Sequence, residues 1–582
     1  MVAHARRPSR PRAGRQHPHR RRRSSLEHST WNNCRSAFQC RTLAAMSSQT
    51  APIVEQPNLL HMVSSPGTFF STGNVAEAAP GVHTPLGWSI WGGLTERVLS
   101  EVVVSLGAWP RPPDVSDVNR RFGCIFYGRY AANVNTFRAF GDRMPGTSGD
   151  AVEIQFFGAK MSQERNRPAP QRYPVVAAKM PWNVIQTPRQ VAAYRADNYT
   201  WWTENICDRP PVGVSEGLAV LSQGSQRYVP VMRAHCIVTL LAQAFYDQLA
   251  KLCTAAGMDS EERTLVSGYG GMEESAVVAD VRELASGRLT EKEFVRRHGY
   301  HGRGEGDVSS RSWREDLTPI RALAQSYRKS GADPLANAAS TRTSRKSAER
   351  ELRARLPWSR RPLVAPTLAL TRRFVLGREV GKAGFLLAMD GMRAGARAIG
   401  ASLVADGVLD NAEDVFFLTL DELITDPRAD RGDVIAERRA LYTRYRGLDL
   451  PPTWQGNPTP RPLDGDDEPC ERVDVVSGMG VSPGIVEGTV RVIHDADSDQ
   501  ADDIEPGDVL VCRITDPSWA PLLSVAAAVV IDIGGSLSHG AIVARELGIP
   551  CVINTVDGSR KLRTGDRVTV DGGAGSVRVQ LR

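Results

Sequence analysis

A histidine near the carboxyl end of the chain has the surroundings that phosphoryl chemistry requires. The apolar run 526–533 predicts a buried strand, Gly534 and Gly535 turn the chain, and His539 follows at the start of a predicted helix that ends at Gly548. Free backbone N–H groups and the positive end of the helix dipole stabilise an anion at such a position. The imidazole is therefore a candidate carrier of a phosphoryl group.

Four neighbours of His539 are candidate members of the same site. Arg545, on the same predicted helix, would add a positive charge for a bound anion. Ser538 would hydrogen-bond the phosphate or the ring, or it would simply cap the helix. Gly535 and Gly540 would let a nucleotide phosphate or an acceptor approach the histidine closely.

The segment 534–550 resembles the phosphohistidine signature of the phosphoenolpyruvate-utilising enzymes. That superfamily includes pyruvate phosphate dikinase, phosphoenolpyruvate synthase, rifampicin phosphotransferase and the alpha subunit of phenylphosphate synthase. The resemblance implies that His539 accepts a phosphoryl group from a nucleotide or phosphoenolpyruvate, and that a swivelling domain, residues 474–582, carries it to a distant acceptor. Several members have Thr where this chain has Leu537, so regulation through a hydroxyl group is not expected there.

Four shorter segments extend the resemblance to the central part of rifampicin-phosphotransferase-like proteins. They are residues 80–89, 128–135, 299–307 with 313–316, and 378–382. In the third segment many relatives read Gly-His-Arg-Gly, and here Tyr300 and His301 occupy the middle positions.

Two groups of polar residues in these segments are candidates for an acceptor site, which needs cations and a base. Arg378 and Lys382 lie one helical turn apart and suit a phosphate clamp. Alternatively, Glu379 neutralises one of them in a surface ion pair.

The second group lies in a glycine-rich loop, where functional groups often occur. It consists of His301, Arg303 and Glu305, for which plain turn chemistry is the alternative. Trp201 and Trp202 would line a pocket for an aromatic acceptor, or they would belong to the core of a helical domain.

No nucleotide-binding loop is recognisable in the sequence. Residues 377–383 have the wrong spacing for a P-loop and carry Ala383 where a Mg²⁺-ligating hydroxyl is needed. The chain also ends 43 residues after His539, which leaves no room for a pyruvate-binding barrel. The layout most resembles the phenylphosphate synthase alpha subunit, which implies that ATP and Mg²⁺ are bound by a separate ATP-grasp partner subunit.

The pattern of elements predicts an α+β multidomain fold. Residues 51–450 are expected to form a mainly helical acceptor-binding domain with long helices over 231–256 and 380–405. Residues 451–473, rich in Pro and Asp, are expected to be a linker. The domain over 474–582 should contain five strands, at 488–493, 508–512, 528–531, 551–553 and 567–570.

Residues 1–50 form an extension that is not expected to fold. Its first 45 residues hold eleven arginines and one acid, Glu27, while the rest of the chain has a net charge of −3. The extension would be a nucleic-acid or nuclear-import tail or an organelle transit peptide, but a translation start at Met46 is the favoured interpretation. The mildly acidic remainder makes nucleic-acid binding by the body of the protein unexpected.

The cysteine pattern and the hydropathy argue against a cysteine-based metal site, a disulfide framework and a membrane span. Nine cysteines occur without a C-x-x-C pair, so the sequence suggests neither a metal site nor a disulfide framework. No apolar run has the length of a membrane span. A cytoplasmic setting is expected.

The sequence therefore predicts a phosphotransferase subunit that moves a phosphoryl group from His539 to the hydroxyl of a small organic acceptor, which would be aromatic if Trp201 and Trp202 line its pocket. Two alternatives remain at this stage: a phosphohistidine carrier or regulatory module without its own acceptor, and a scaffold that has lost its chemistry.

Overall fold

The computed structural model describes residues 57–580 apart from 74, 158–159, 260, 331–337, 464–472, 494–503, 516–518 and 536–537. The predicted arginine-rich extension lies outside the described residues. The part of the chain from 54 to 582 forms one compact unit.

Helices dominate the first four-fifths of the described chain, and three more follow in the last fifth. They are α1 (Val75–Ala78), α2 (Pro85–Trp88), α3 (Glu96–Ser105), α4 (Val134–Gly141), α5 (Gly149–Phe157), α6 (Tyr173–Trp202), α7 (Gly213–Ala255), α8 (Glu262–Leu265), α9 (Glu273–Ala285), α10 (Glu291–His298), α11 (Thr318–Ser330), α12 (Ala338–Arg355), α13 (Arg361–Ala405), α14 (Leu420–Thr425), α15 (Gly432–Arg446), α16 (Ala520–Leu523), α17 (His539–Leu547) and α18 (Gly558–Lys561).

Most of the strands follow the helical part. They are β1 (Phe69–Ser71), β2 (Gly123–Phe126), β3 (Arg129–Asn133), β4 (Leu448–Asp449), β5 (Thr453–Gln455), β6 (Arg461–Pro462), β7 (Val475–Ser477), β8 (Met479–Ser482), β9 (Ile485–Val492), β10 (Asp508–Cys512), β11 (Ala528–Ile531), β12 (Cys551–Ile553), β13 (Arg567–Asp571) and β14 (Ser576–Val579). The predicted α+β architecture is confirmed.

Helices α7 and α13 pack along each other and form the centre of the helical domain. Glycines allow their backbones to approach closely. A Cβ atom on Gly395 would lie 2.6 Å from the carbonyl oxygen of Gly217, and one on Gly224 would lie 3.0 Å from that of Ala388. Larger side chains at these positions would force the two helices apart.

Both central helices begin earlier than the sequence predicted. The predicted helices spanned 231–256 and 380–405, whereas α7 begins at Gly213 and α13 at Arg361. A proline inside a helix costs about 3 kcal/mol because it lacks an N–H group and clashes with the preceding turn. Helix α7 nevertheless continues through Pro230, since its packing against α6 and α13 outweighs that local cost.

Helix α7 is the one described helix whose length and composition would allow it to span a membrane. Its surroundings identify it as a core helix instead. It contacts α3, α6 and α13, and Leu221, Tyr228 and Leu249 are buried among them. The described residues therefore give no indication of a membrane protein.

A buried carboxylate joins α6, α13 and the segment after the glycine-rich loop. Asp390 accepts hydrogen bonds from Trp202 Nε1 at 2.7 Å, Arg314 Nε at 3.0 Å and Arg393 at 2.9 Å. Burial alone would raise the pKa of Asp390, but the two guanidinium groups hold it well below its ordinary value. The carboxylate is therefore ionised, and it fixes the loop on α13.

Replacing Asp390 with alanine is expected to lower the free energy of unfolding by about 3–5 kcal/mol, because Arg393 and Arg314 would remain buried without their anion. Urea unfolding would measure this loss. The matched control is Asp406→Ala, which removes an exposed ion pair with Arg428 at 2.9 Å and should cost no more than about 1 kcal/mol. Equal losses in the two variants would contradict a structural role for Asp390.

A small sheet at the edge of the helical domain changes the position of the predicted linker. Its strand order is β2-β3-β1-β5, and β5 lies within the range 451–473. Trp454 of β5 pairs with Phe70 of β1, and their rings stack with centroids 5.9 Å apart. The connection between domains therefore starts later than the composition indicated, and residues 464–472 lie outside the described part.

The carboxyl-terminal part is built on an eight-stranded sheet with the order β7-β14-β13-β9-β10-β11-β12-β8. Strands β9 to β12 are parallel neighbours, and the outer strands are antiparallel. The five predicted strands are confirmed as β9 to β13. Helix α17 connects β11 with β12, so the segment that contains His539 lies at the carboxyl end of a parallel strand.

Candidate active site

His539 is the first residue of α17, as the sequence predicted. Ser538 caps this helix: its backbone is extended, and its Oγ accepts a hydrogen bond from the backbone N–H of Ala541 at 3.4 Å. The helix ends at Gly548, whose left-handed conformation (φ 67°) suits glycine. The buried imidazole of His539 thus lies at the positive end of the helix dipole.

The loop before His539 is anchored by a buried aspartate. Asp532 accepts hydrogen bonds from Thr555 Oγ1 at 2.6 Å and from the backbone N–H of Ser559 at 3.1 Å. These bonds tie the end of β11 to the segment after β12. Ligands of α/β sheets bind beyond the carboxyl ends of parallel strands, and the bonds of Asp532 hold the His539 loop at that place.

Helix α17 docks on the helical domain through polar and apolar contacts. Glu546 accepts hydrogen bonds from the backbone N–H groups of Tyr269 at 3.1 Å and Gly270 at 3.3 Å. On the apolar side, Ala541 and Ala544 share a buried cluster with side chains of α9 and α11. This docked arrangement brings His539 to the helical domain.

His539 lines a cavity of about 250 Å³ together with residues of the helical domain. Much of the wall is aromatic: Trp91, Phe122, Tyr130, Phe137, Phe140 and Phe156 contribute to it. An apolar cavity of about 150 Å³ is enough to hold benzene. The cavity therefore has the size and the lining to admit a substituted aromatic ring.

The predicted cationic clamp lies on the wall of this cavity. Arg378 and Lys382 are one turn apart on α13, and both line the cavity with His539. Glu379 is also a buried wall residue and does not lie on an exposed surface. Two cations beside a phosphohistidine would stabilise the charge of a transferring phosphoryl group.

Glu305 connects the clamp with His301. Its Oε1 lies 3.1 Å from Lys382 Nζ, and its Oε2 lies 2.9 Å from His301 Nδ1. Burial alone would raise the pKa of Glu305, but Lys382 and His301 outweigh burial and keep it below its ordinary value. Burial alone would lower the pKa of His301, whereas its carboxylate neighbours Glu273 and Glu305 raise it to about 9. Glu305 is therefore an ionised carboxylate on the cavity wall.

His235 is a wall residue to which the sequence analysis assigned no role. It lies on α7, and its Nδ1 is 3.1 Å from the backbone carbonyl oxygen of Arg378. Burial, followed by the charges of Arg378 and Lys382, lowers its pKa to about 3, so the ring is neutral and adds no charge to the cavity. In the sequence, the one indication of this contact is Gly381, because a residue without a side chain leaves room for the His235 ring between α7 and α13.

Replacing Gly381 with alanine is expected to lower the free energy of unfolding by about 1–3 kcal/mol and to weaken binding in the cavity. The added Cβ would lie 2.9 Å from His235 Nδ1 and 3.0 Å from its Cβ, which would push α7 away from α13. Urea unfolding and ligand titration would measure the effects. Gly93→Ala, where a Cβ meets nothing within 4 Å, is the control, and an equal loss there would contradict this explanation.

Arg545 does not join His539 at the cavity. Six residues along an α-helix correspond to a rotation of about 240°, which turns Arg545 to another face of α17. Its Nε donates to the carbonyl oxygen of Ala541 at 2.9 Å, and burial lowers its pKa. Its side chain is buried near Tyr246 of the helical domain, so its position suits docking.

The two predicted glycines of the site have different surroundings. A Cβ atom on Gly540 would lie 2.4 Å from Ile531 Cδ1 and 2.8 Å from Thr515 Oγ1. Gly540 is therefore needed for packing of α17 on β11 rather than for approach of a ligand. A Cβ atom on Gly535 would meet nothing within 4 Å, so no close contact of the described residues depends on this glycine.

The remaining candidates lie away from the cavity. Arg303 is half-buried, and its charge adds to the hydrogen bonds from Thr318 that lower the pKa of Asp316. The two tryptophans are core residues: Trp201 Nε1 donates to Gln223 at 2.7 Å, and Trp202 donates to the buried carboxylate described above. The aromatic wall is formed instead by residues that the sequence analysis did not single out.

Comparisons with known families agree with the two resemblances. Residues 504–575 match the family model described as the PEP-utilising enzyme mobile domain. Residues 247–379 match the model described as the rifampicin phosphotransferase fourth domain. The predicted resemblance to phosphoenolpyruvate-utilising enzymes is thus confirmed over these segments, and it supports phosphoryl transfer through a phosphohistidine.

Curated relatives match over part of their length. An uncharacterized protein of Mycobacterium tuberculosis is 36% identical over 214 residues, which are 37% of this chain and 24% of that protein. A rifampicin phosphotransferase of Streptomyces sviceus is 36% identical over 181 residues, covering 30% and 20% of the two chains. A phosphoenolpyruvate synthase of Pyrococcus furiosus is 50% identical over 111 residues, covering 19% and 13%. The match therefore spans about a quarter or less of each relative.

The cavity does not fit the Mg²⁺ complex of a nucleotide. Mg²⁺ is bound through carboxylate oxygens, water and phosphates, whereas Glu305, one of two carboxylates on the wall, is already engaged by Lys382 and His301. The apolar wall also offers few polar groups that could replace the water around a triphosphate. The arrangement suits a single phosphoryl group beside an apolar acceptor.

Proposed function

We propose that this protein carries a phosphoryl group on His539 and transfers it to the hydroxyl group of a small aromatic acceptor in the cytoplasm. A separate ATP-grasp subunit would load His539 from ATP with Mg²⁺. The observation that carries the proposal is the shared cavity: His539 lines it together with Arg378, Lys382 and an aromatic wall.

In the proposed transfer, the hydroxyl oxygen of the acceptor attacks the phosphorus atom. The P–N bond to His539 breaks, and its electron pair returns to the imidazole. The hydroxyl proton passes to the carboxylate of Glu305. Arg378 and Lys382 offset the charge of the transferring group, and most of the catalysis is positioning and electrostatic stabilisation.

Chemical phosphorylation tests this function without the partner subunit. Phosphoramidate, which phosphorylates histidine, is expected to place an acid-labile phosphate on His539, detected by mass spectrometry of the peptide. A chase with phenol should then give a phosphate ester in the ³¹P NMR spectrum, and ethanol should give little, because the aromatic wall binds the ring. Loading without ester formation from any hydroxyl compound would favour the carrier module. If neither phosphoramidate nor ATP with an ATP-grasp subunit loads His539, the proposal is wrong.

A further inference from the structure

A second cluster of ligand-type side chains lies behind Glu305, outside the cavity wall. It consists of Glu273 at the start of α9, His298 at the end of α10 and His301 in the glycine-rich loop. One ligand atom from each residue lies within 4.8 Å of the other two. Both histidines are nearly inaccessible to solvent.

The orientation of both rings is set by carboxylates on their outer nitrogens. His298 Nε2 lies 2.9 Å from Asp280 Oδ2, and His301 Nδ1 lies 2.9 Å from Glu305 Oε2. A nitrogen bonded to a carboxylate carries the proton, so the lone pair of a neutral ring is on the other nitrogen. Metal-binding histidines have this same carboxylate partner, which fixes the tautomer and makes the ring a better ligand.

The inner nitrogens meet at a common point. Within the described residues, His298 Nδ1 and His301 Nε2 have no hydrogen-bond partner although they are buried. His301 Nε2 faces Glu273 Oε1 at 3.8 Å, which is beyond hydrogen-bonding distance, and Glu273 accepts a hydrogen bond from the Tyr300 hydroxyl. Two buried ring nitrogens and a carboxylate therefore converge without a hydrogen bond between them.

We propose that Glu273, His298 and His301 bind a divalent transition-metal cation of the zinc class. Two imidazoles and one carboxylate form a ligand set that zinc accepts, with a fourth position for water. Ligand atoms of a tetrahedral zinc site lie about 3.4 Å apart for bonds of about 2.0–2.1 Å, so small side-chain rotations close the observed cluster onto a cation.

The site would position a residue of the phosphoryl-transfer cavity. The cation would hold His301, whose other nitrogen bonds Glu305, and Glu305 lies beside Lys382 on the cavity wall. Without a cation, a proton on His301 offsets the charges of Glu273 and Glu305. Binding of the cation replaces this proton, and the metal acts as a positioning element.

Cobalt is the probe that tests the site, because Co²⁺ bound by few ligands absorbs visible light. Full-length protein without a histidine tag, stripped with a chelator, is expected to bind one Co²⁺ per chain at the proposed site with a visible band, and Zn²⁺ should displace it. His298→Gln and His301→Gln should abolish the band. Asp280→Asn should weaken binding about 10- to 100-fold through loss of the outer carboxylate.

His61→Gln is the control, because His61 is a buried histidine that instead accepts from the backbone N–H of Tyr127 at 3.2 Å. It should keep the band unchanged. Circular dichroism shows whether each variant folds. If the histidine variants do not fold, the weaker Co²⁺ binding expected of Asp280→Asn tests the proposal in their place. Wild-type protein that binds no Co²⁺ with such a band, or binding equal in wild type, His298→Gln and Asp280→Asn, would overturn the proposal.

Discussion

A His539→Gln variant is expected to carry no acid-labile phosphate and to form no phosphate ester, with any donor or acceptor. Glutamine fills a similar space and can donate a hydrogen bond, but its amide nitrogen is not a nucleophile. The helix dipole at the start of α17 and the clamp on α13 would remain in place, so the variant isolates the nucleophile itself. Phosphopeptide mass spectrometry and ³¹P NMR measure the two losses.

The neighbouring residue provides the matched control. Ser538→Ala removes the cap of α17 and is expected to cost about 0.5–2 kcal/mol of stability, while the phosphate on the histidine and its transfer remain. This result would assign Ser538 to helix capping. A His539→Gln variant that still becomes phosphorylated within residues 534–550 would place the carrier elsewhere and contradict the site.

An Arg378→Gln variant is expected to load His539 normally but to discharge it to phenol about 10²- to 10³-fold more slowly. The size follows from the loss of one donor that stabilises charge in the transition state, about 2.7–4 kcal/mol. The backbone carbonyl of residue 378, which contacts His235, is unaffected by the substitution. Single-turnover discharge of phosphorylated protein measures the rate apart from loading.

Arg373 offers a control on the same helix. Its side chain is exposed and donates to the carbonyl oxygen of Ile185 at 3.4 Å. Arg373→Gln should discharge at the wild-type rate, and Arg378→Lys should recover part of the lost rate because it restores the charge but not the planar fork. Equal rates in Arg373→Gln and Arg378→Gln would show that the clamp does not act on the phosphoryl group.

Features that depend on neighbours in the sequence were predictable. The strand before His539, the cap at Ser538 and the end of α17 at Gly548 follow from short-range preferences of apolar runs, hydroxyl groups and glycine. Five of the eight strands of the carboxyl-terminal sheet follow from the same preferences, whereas β7, β8 and β14 were not predicted. Where local preference conflicts with packing, as at Pro230 in α7, the sequence placed the boundary wrongly, because contacts with distant helices outweigh the cost of a proline.

The burial of individual side chains and their contacts with distant parts of the chain were not predictable from the sequence. Trp201 and Trp202 belong to the core because burial is a property of the packed molecule. Which surface the Arg545 side of α17 packs against is likewise decided by the packing. His235 becomes a wall residue only because Gly381 lets two helices meet. Its sequence neighbours give no sign of this contact.

The sequence by itself determined the candidate for the phosphoryl carrier, since His539 and the elements around it form one continuous segment. It also placed Arg378 and Lys382 on one face of a helix, since helical periodicity is local. Only the tertiary structure decided that these residues share a cavity with an aromatic wall. The aromatic wall comes from residues 91–156, whereas the clamp lies on α13 and His539 on α17, hundreds of residues further along the chain. Such contacts form when apolar surfaces pack together rather than from any local pattern.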